Sequence, residues 1–431
     1  MTADNFVLTA DTLIANRYRI HRLIGKGGMG AVYGAYDRLM GIDVALKYVT
    51  VPNMQLRFAS QTLDGTEVDL RLILAQEFKT LASLRHPHII SVLDYGFYDS
   101  NQPYFTMELL QNAKPLSALS RLSIAEKVTL IAQILEALSY LHRRGIIHRD
   151  LKPANVLVNN PDDAQRVVKL LDFGLAIAQD YHMDERVVGT LAYIAPEVLQ
   201  GAPVSRASDL YAVGIMAYEL FTGEHPILKD DTTDFIEQLL MQDPDTSKLP
   251  EDLPLTPIIR KLIARKVENR YTHTDEVLRA LSQLNGVSIL SETHPTRESY
   301  LQSAQFVGRD DEMNTLSNAF INVITQKGSA WLVGGESGVG KSRLLDELAI
   351  FALVNGALVL RGQSVKSGGL PYRQWRDPMR RLALCTPLSD IEASILKEIV
   401  PDIADLIGRD VADAPPMDGN PGQQRLILTM I

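Results

Sequence analysis

The sequence predicts an α+β domain of two lobes, followed by the start of a parallel α/β domain. Three observations predict it. From Tyr18 to Lys47, short β-rich stretches alternate with glycine-bearing turns, the pattern of an antiparallel sheet. From Ser123 onward apolar residues recur at helical spacing through several long segments. From Gln305 the pattern runs helix, strand (AWLVGG), Gly-rich loop, helix (KSRLLDELAIFALVNG) and strand (ALVLRG), the alternation of a parallel α/β unit.

The elements follow in order. Residues 1–17 are polar and are expected to form a flexible lead. A first lobe over about 18–109 holds YRIHRLIG, AVYGAYD and DVALKYV as strands, and Leu70 to Leu84 as a helix. A second lobe over about 110–284 holds helices at IAEKVTLIAQILEALSYLHRRG, LYAVGIMAYELF, TPIIRKLIARKV and DEVLRALSQL. Residues Asn285 to Ala304 lose periodicity and read as a linker over 285–304. The α/β unit occupies 305–431.

Composition sets limits on function. A chain of 431 residues has room for two or three domains. At 46% hydrophobic and 22% charged, it has the profile of a soluble globular protein. A net charge of -9 argues against nonspecific nucleic-acid binding. The single cysteine, Cys385, cannot build an internal disulfide, which fits a reducing cytoplasm, and it is expected as a small core residue. The start MTADNFVLTADTLIANRY lacks a cationic region before an apolar one, so no signal peptide is read. No apolar run approaches the ~18 residues of a membrane helix. The expected location is cytoplasmic.

IGKGGMGAV, comprising Ile24, Gly25, Lys26, Gly27, Gly28, Met29, Gly30, Ala31 and Val32, fits G-x-G-x-x-G-x-V. Glycines let a hairpin backbone approach phosphates where a Cβ would clash. Taken alone, the pattern fits a structural hairpin equally well. VALK ends at Lys47, whose ammonium could clamp the α- and β-phosphates of ATP; alone, a strand-end lysine is more often a solvated charge. Glu77, on the expected helix, could hold Lys47 in place or be an ordinary surface carboxylate.

The second lobe adds HRDLKPAN (His148 to Asn155), LDFG ending at Gly174, and APE (Ala195 to Glu197). With these motifs the sequence resembles the eukaryotic-type Ser/Thr protein kinases over Tyr18 to about Leu284. The resemblance implies an ATP-dependent transfer of the γ-phosphoryl group to Ser/Thr hydroxyls of proteins. Asp150 would orient the hydroxyl and accept its proton, and Lys152 would steady the γ-phosphate. Asn155 and Asp172 would hold Mg²⁺, and Lys47 with Glu77 would form the ion pair of an active lobe arrangement. The adenine would lie between Val32 and Ala45 above and Leu157 below. The hinge MELL would place Met107 at the gate, with Glu108 and Leu110 offering backbone hydrogen bonds. Leu81, His148 and Phe173 would stack as a spine, with plain core packing compatible with the same positions. Lys152 and Thr190 point to Ser/Thr rather than Tyr substrates. Asp209 would brace the catalytic loop, and Arg270 would pair with Glu197.

Two departures from the family pattern stand out. The connection from Lys47 to Glu77, with VPNMQLRFASQTLDGTEVDLR, is longer than usual and is expected as a surface loop, a docking insert being the other reading. Between Leu175 and Gly189 there is no Ser or Thr. Asp180, Asp184 or Glu185 is therefore expected to stand in for a loop phosphate opposite Arg149, or to form a solvated acidic turn.

GESGVGKS, from Gly335 to Ser342, matches G-x-x-x-x-G-K-[ST] after a strand and before a helix. Gly335, Gly340 and the loop amides would cradle phosphates, Lys341 would reach the β- and γ-phosphates, and Ser342 would ligate Mg²⁺. With FVGRDDEM (Phe306 to Met313) and GGLPYRQW, this unit resembles the AAA-like ATPase module of large signalling ATPases, which bacterial proteins join to Ser/Thr kinase domains. No acidic strand end follows Ser342, so ATP hydrolysis by this unit is not expected, and the chain is expected to stop before that strand. Arg361, Arg373, Arg376, Arg380 and Arg381 form a basic cluster, expected as a solvated helix face, a nucleic-acid site being the other reading.

The resulting expectation is a Ser/Thr protein kinase with a second nucleotide-binding module, using ATP and Mg²⁺. Protein substrates, autophosphorylation and a regulatory partner acting through the P-loop unit are open to it. The alternative is a nucleotide-gated scaffold with incidental catalysis.

Overall fold

The computed structural model describes residues 8–27, 30–48, 70–98, 102–163, 166–172, 191–227, 232–284, 308–324, 328–364, 372–417 and 420–431. Most of the long connection before Glu77, the linker 285–304 and the loop residues Asp180, Asp184, Glu185 and Thr190 lie outside these, as do Gly28, Met29, Phe173 and Phe306.

The first lobe is a six-stranded antiparallel sheet in the order β1-β2-β3-β4-β6-β5. Its strands are β1 (Leu13–Ile14), β2 (Tyr18–Gly27), β3 (Gly30–Asp37), β4 (Ile42–Tyr48), β5 (Val92–Tyr98) and β6 (Gln102–Glu108). Strand side chains alternate between faces. Along β3 and β4, Ala31, Tyr33, Ala35, Val44, Leu46 and Tyr48 fill a core on one face. Val32, Ala45 and Lys47 take the other face, because Val32 pairs with Lys47 in the ladder. Phe105 and Met107 join them by pairing with Lys47 and Ala45. Helix α1 (Leu70–Ala82) packs its Phe78 and Leu81 into the core shared with the second lobe.

The flexible lead expected over 1–17 is corrected for residues 8–17. Strand β1 pairs with β2, Ile14 is fully buried, and the Leu8 amide donates to the Tyr33 hydroxyl at 3.1 Å. Arg17 is buried too, with its Nε and Nη2 donating to the two Asp37 carboxylate oxygens at 2.8 and 2.7 Å. The apolar residues Leu8 and Ile14 anchor a segment whose average polarity concealed them.

The second lobe is helical around one large core. Helix α2 (Ile124–Arg143) starts at a capping box in which Ser123 and Glu126 satisfy each other's backbone amides. A small sheet of β7 (Lys114–Pro115), β8 (Val156–Asn159) and β9 (Val167–Leu170) carries the segment after Asn155. Helices α3 (Pro196–Leu199), α4 (Arg206–Thr222), α5 (Thr232–Met241), α6 (Thr256–Leu262) and α7 (Thr274–Ser282) complete the lobe. The lobes are stitched together where Ile90 donates to the Leu170 carbonyl at 3.0 Å and Leu170 to that of His88 at 2.9 Å.

The remaining unit contains α8 (Asp310–Ile324), α9 (Lys341–Val354), α10 (Arg376–Cys385), α11 (Asp390–Leu396), α12 (Ile403–Ile407) and α13 (Asn420–Met430). The strands expected at AWLVGG and ALVLRG are not formed among the described residues. A parallel strand needs a neighbour for its backbone groups, and none pairs with them here; Leu332 is 98% exposed. Cys385, expected in the core, is exposed at the end of α10.

Candidate active site

Lys47, Glu77 and Asp172 meet between the lobes. Lys47 Nζ donates to Glu77 Oε1 at 2.9 Å and to Asp172 Oδ1 at 2.7 Å. Strand β4 fixes the lysine, helix α1 the glutamate, and the chain after β9 the aspartate. Burial opposes the charge on Lys47, but Glu77 and Asp172 outweigh it and hold the ammonium above its ordinary pKa. Burial raises the Glu77 carboxyl, Lys47 counters it, and the charge of Asp172 adds to the rise. One cation thus serves two carboxylates.

Asp150 lies on the loop after α2. Lys152 Nζ lies 2.8 Å from its Oδ2, and Asn155 Nδ2 donates 2.8 Å bonds to its Oδ2 and its backbone carbonyl. These bonds fix the Asn155 amide and turn its Oδ1 away from Asp150. The Leu171 amide donates to the Asn155 carbonyl at 2.9 Å, which sets Asn155 beside Asp172. Asp172 is half-exposed on its side chain. Two hard oxygen donors, one of them anionic and open to solvent, fit Mg²⁺, which takes few protein ligands when phosphates and water supply the rest.

The loop's backbone is held from below. Asp209, on α4, accepts from the His148 amide at 2.9 Å and the Arg149 amide at 3.0 Å. Arg149 has φ 73°, a conformation uncommon for a residue with a side chain, and the Asp209 bonds pin it. His142 bridges Asp209 and Thr274 with 2.9 Å contacts on its two ring nitrogens. Burial keeps His148 below the ordinary imidazole pKa despite the nearby carboxylates of Asp209 and Asp150. Arg270, fully buried on its side chain, makes two 2.8 Å bonds to Glu197.

Val32, Ala45 and Met107 line the sheet face beside Lys47, and Leu157 lies on β8 in the second lobe. Ala31 differs from expectation: alternation sends its Cβ to the opposite core, leaving only its backbone on this side. Ile24 and Lys26 are exposed. A Cβ on Gly25 would meet no protein atom within 4 Å. At the hinge, the Glu108 amide donates to the Ser91 carbonyl at 2.9 Å, so that donor is spent within the protein. The Glu108 carboxylate holds Lys169 Nζ at 2.7 Å, a lobe-to-lobe tie that no motif signals. His142 was equally silent in sequence, since its role depends on α2 crossing α4. Of the expected spine, Leu81 and His148 are buried, and Phe173 lies outside the described residues.

In the second unit, Gly338 (φ 88°) and Gly340 (φ 92°) take left-handed conformations open to glycine, and Gly340 caps α9. Lys341 Nζ bonds the carbonyls of Gly335 and Glu336 at 2.8 and 2.6 Å. Gly335 lies ahead of the loop's turn at Ser337 and Gly338, and Ser342 is exposed on the first turn of α9. A cavity of about 380 Å³ beside the loop is lined by Arg309, Leu316, Trp331 and Lys341 among others.

The protein kinase domain family matches residues 18–281. This chain belongs to the protein kinase family. The AAA ATPase domain family matches residues 305–431, so a kinase domain is joined to an AAA module, and both families use ATP. This kinase is 32% identical to Serine/threonine-protein kinase PknF of Mycobacterium tuberculosis over 67% of its own chain and 63% of PknF. It is 36% identical to Serine/threonine-protein kinase PknA of M. tuberculosis over 58% of its chain and 56% of PknA. It is 35% identical to Serine/threonine-protein kinase pkn3 of Myxococcus xanthus over 58% of its chain and 46% of that relative. The chain therefore spans less than two thirds of the length of these relatives. A crystal structure of the M. tuberculosis PknI kinase domain overlaps 64% of the chain and 99% of the PknI domain, at 24% identity and a TM-score of 0.49. Among the described residues no helix is long and apolar enough to cross a membrane.

Proposed function

We propose that the chain transfers the γ-phosphoryl group of ATP to Ser or Thr hydroxyls of protein substrates, in the cytoplasm. The observation that carries this reading is the joining of two clusters: Asp150 with Lys152 and Asn155, and Lys47 with Glu77 and Asp172. Phosphoryl transfer asks for positioning and charge neutralisation rather than covalent chemistry. Asp150 orients the acceptor hydroxyl and takes its proton, while Lys152, on the same carboxylate, faces the transferred group. Lys47, fixed by Glu77, clamps the α- and β-phosphates. Gly25 leaves open space above them for backbone approach. Asn155 and Asp172 hold Mg²⁺, which when bound neutralises phosphate charge. Val32, Ala45 and Leu157 sandwich the adenine. Gly335, Gly340, Lys341 and Ser342 form a second nucleotide site in the AAA module.

The test is radiolabel transfer from ATP to a generic Ser/Thr protein substrate by the whole chain. Asp150→Asn should abolish it while the protein stays folded. Undiminished transfer by that variant would refute the assignment.

A further inference from the structure

The AAA module packs against helix α1 and strand β5 of the kinase N-lobe. Ile350, on α9, is buried in the same core as Phe78 and Ala82 of α1 and Val92 of β5, and Leu353 and Val354 pack on its edge. Arg381, expected as part of a solvated face, instead donates to Asp94 of β5 at 2.6 Å. That carboxylate also takes Arg17 Nη1 at 2.5 Å, so a buried N-lobe ion network is completed from the module. The turn after β3 reaches back in return. Leu39 is buried in the module's own core with Ile395 and Leu396, and its carbonyl accepts from Arg380 at 2.7 Å. Arg38 donates to the Leu406 carbonyl at 2.6 Å. Apolar insertion in both directions, with a shared buried carboxylate, is the anatomy of a specific interface.

Helix α9 connects two sites. Its first turn carries Lys341 and Ser342 of the P-loop. Ile350 lies about 14 Å further along the axis at 1.5 Å per residue, seated on the helix that carries Glu77. A rigid element with a ligand site at one end and a packed partner at the other can transmit a shift between them.

We propose that the α1–β5 face of the N-lobe is the docking surface for the AAA module, and that a nucleoside triphosphate on its P-loop sets the position of helix α1. Phosphate binding at Lys341 moves α9, and α9 moves α1 and Glu77 relative to Lys47. That this controls phosphotransfer rests on the phosphotransfer proposed above, and the coupling rests on the P-loop site proposed there; the docking rests on neither.

Hydrogen exchange of the whole chain, read by mass spectrometry with and without saturating ATP and Mg²⁺, tests this directly. Both proteins fill the kinase cleft, so wild type and Lys341→Ala differ in P-loop occupancy alone. ATP should slow exchange in residues 335–354 and in 70–82 of the wild type, and Lys341→Ala should lose the P-loop share in both, by about fivefold or more. Arg381→Glu should raise exchange in 92–98 and keep the response at 335–354 while losing the P-loop share of the response at 70–82. Arg381→Gln serves if the reversed charge unfolds the chain, with melting curves as the check. Three results would each overturn the proposal: no ATP response at 335–354, the same exchange at 70–82 in wild type and Lys341→Ala, or no effect of Arg381 variants on 92–98. A chain that couples in this way but transfers no phosphate would overturn the proposed function and leave this inference standing.

Discussion

Lys47 is paired with Glu77 at 2.9 Å across the gap between strand β4 and helix α1. The same ammonium holds Asp172 at 2.7 Å, so one cation links the sheet, the helix and the second lobe. Replacing it leaves two carboxylates facing each other without a counter-charge. Lys47→Met is expected to lower kcat/KM for phosphotransfer by about a hundredfold or more, the usual cost of losing one transition-state donor. Glu77→Gln should cost less, because Asp172 still positions the lysine. Steady-state kinetics on both variants decides it; an unchanged Lys47→Met rate would contradict the geometry.

Arg270 and Glu197 form the second pair whose loss should be costly. The arginine side chain is fully buried and also donates to the Ala264 and Arg265 carbonyls. Glu197→Ala leaves a buried guanidinium without its charge partner and should destabilise the second lobe by about 3–5 kcal/mol. Urea melts of the whole chain measure this. A loss below about 1 kcal/mol, the range of exposed pairs, would mean that the pair is solvated.

His86 gives a pH dependence. It is buried between Tyr140 and His88, and burial, with the charges of His88 and Lys169, lowers its pKa from 6.5 to about 3. The unfolded chain binds a proton near pH 6.5 that the folded chain refuses until about pH 3. Stability from this group is therefore full above pH 6.5 and falls as pH drops through that window, by up to about 5 kcal/mol. Melting curves from pH 7 downward should show a shallower fall in His86→Phe than in wild type. Identical slopes would exclude His86 as the source.

Gly214 lies where α4 crosses α6. A Cβ there would come within 2.7 Å of Ile263 Cγ2 and Leu262 Cβ. Gly214→Ala should destabilise by about 1–3 kcal/mol through overpacking, although alanine is the better helix former. A rise in melting temperature would show that the helices separate without cost.

The residues proposed to carry the chemistry were legible as a group because they sit in short motifs. Asp150, Lys152 and Asn155 fall within one loop, so sequence spacing alone brings them together. The alternation of β3 and β4 likewise put Val32, Ala45 and Lys47 on one face, though the same rule, applied to Ala31, would have sent its Cβ to the other. His142, Lys169 and Arg17 were not legible, because each acts on a partner far along the chain that only helix crossing or strand order brings near. The arginines of α10 misled for a related reason: a basic helix face looks solvated until Asp94 and the Leu39 carbonyl arrive from the other unit. Leu8 and Ile14 were lost in the polarity of their neighbours. The strands expected at AWLVGG and ALVLRG show the limit of periodicity, which marks a strand's composition but cannot supply its hydrogen-bonding neighbour.

The most direct measurement of the central claim is mass spectrometry of the purified chain after incubation with ATP and Mg²⁺, beside the Asp150→Asn variant. The geometry predicts phosphate on Ser or Thr residues of the wild type, or of an added protein substrate, and none in the variant. Equal phosphate in both, or none in either with substrate present, would contradict it.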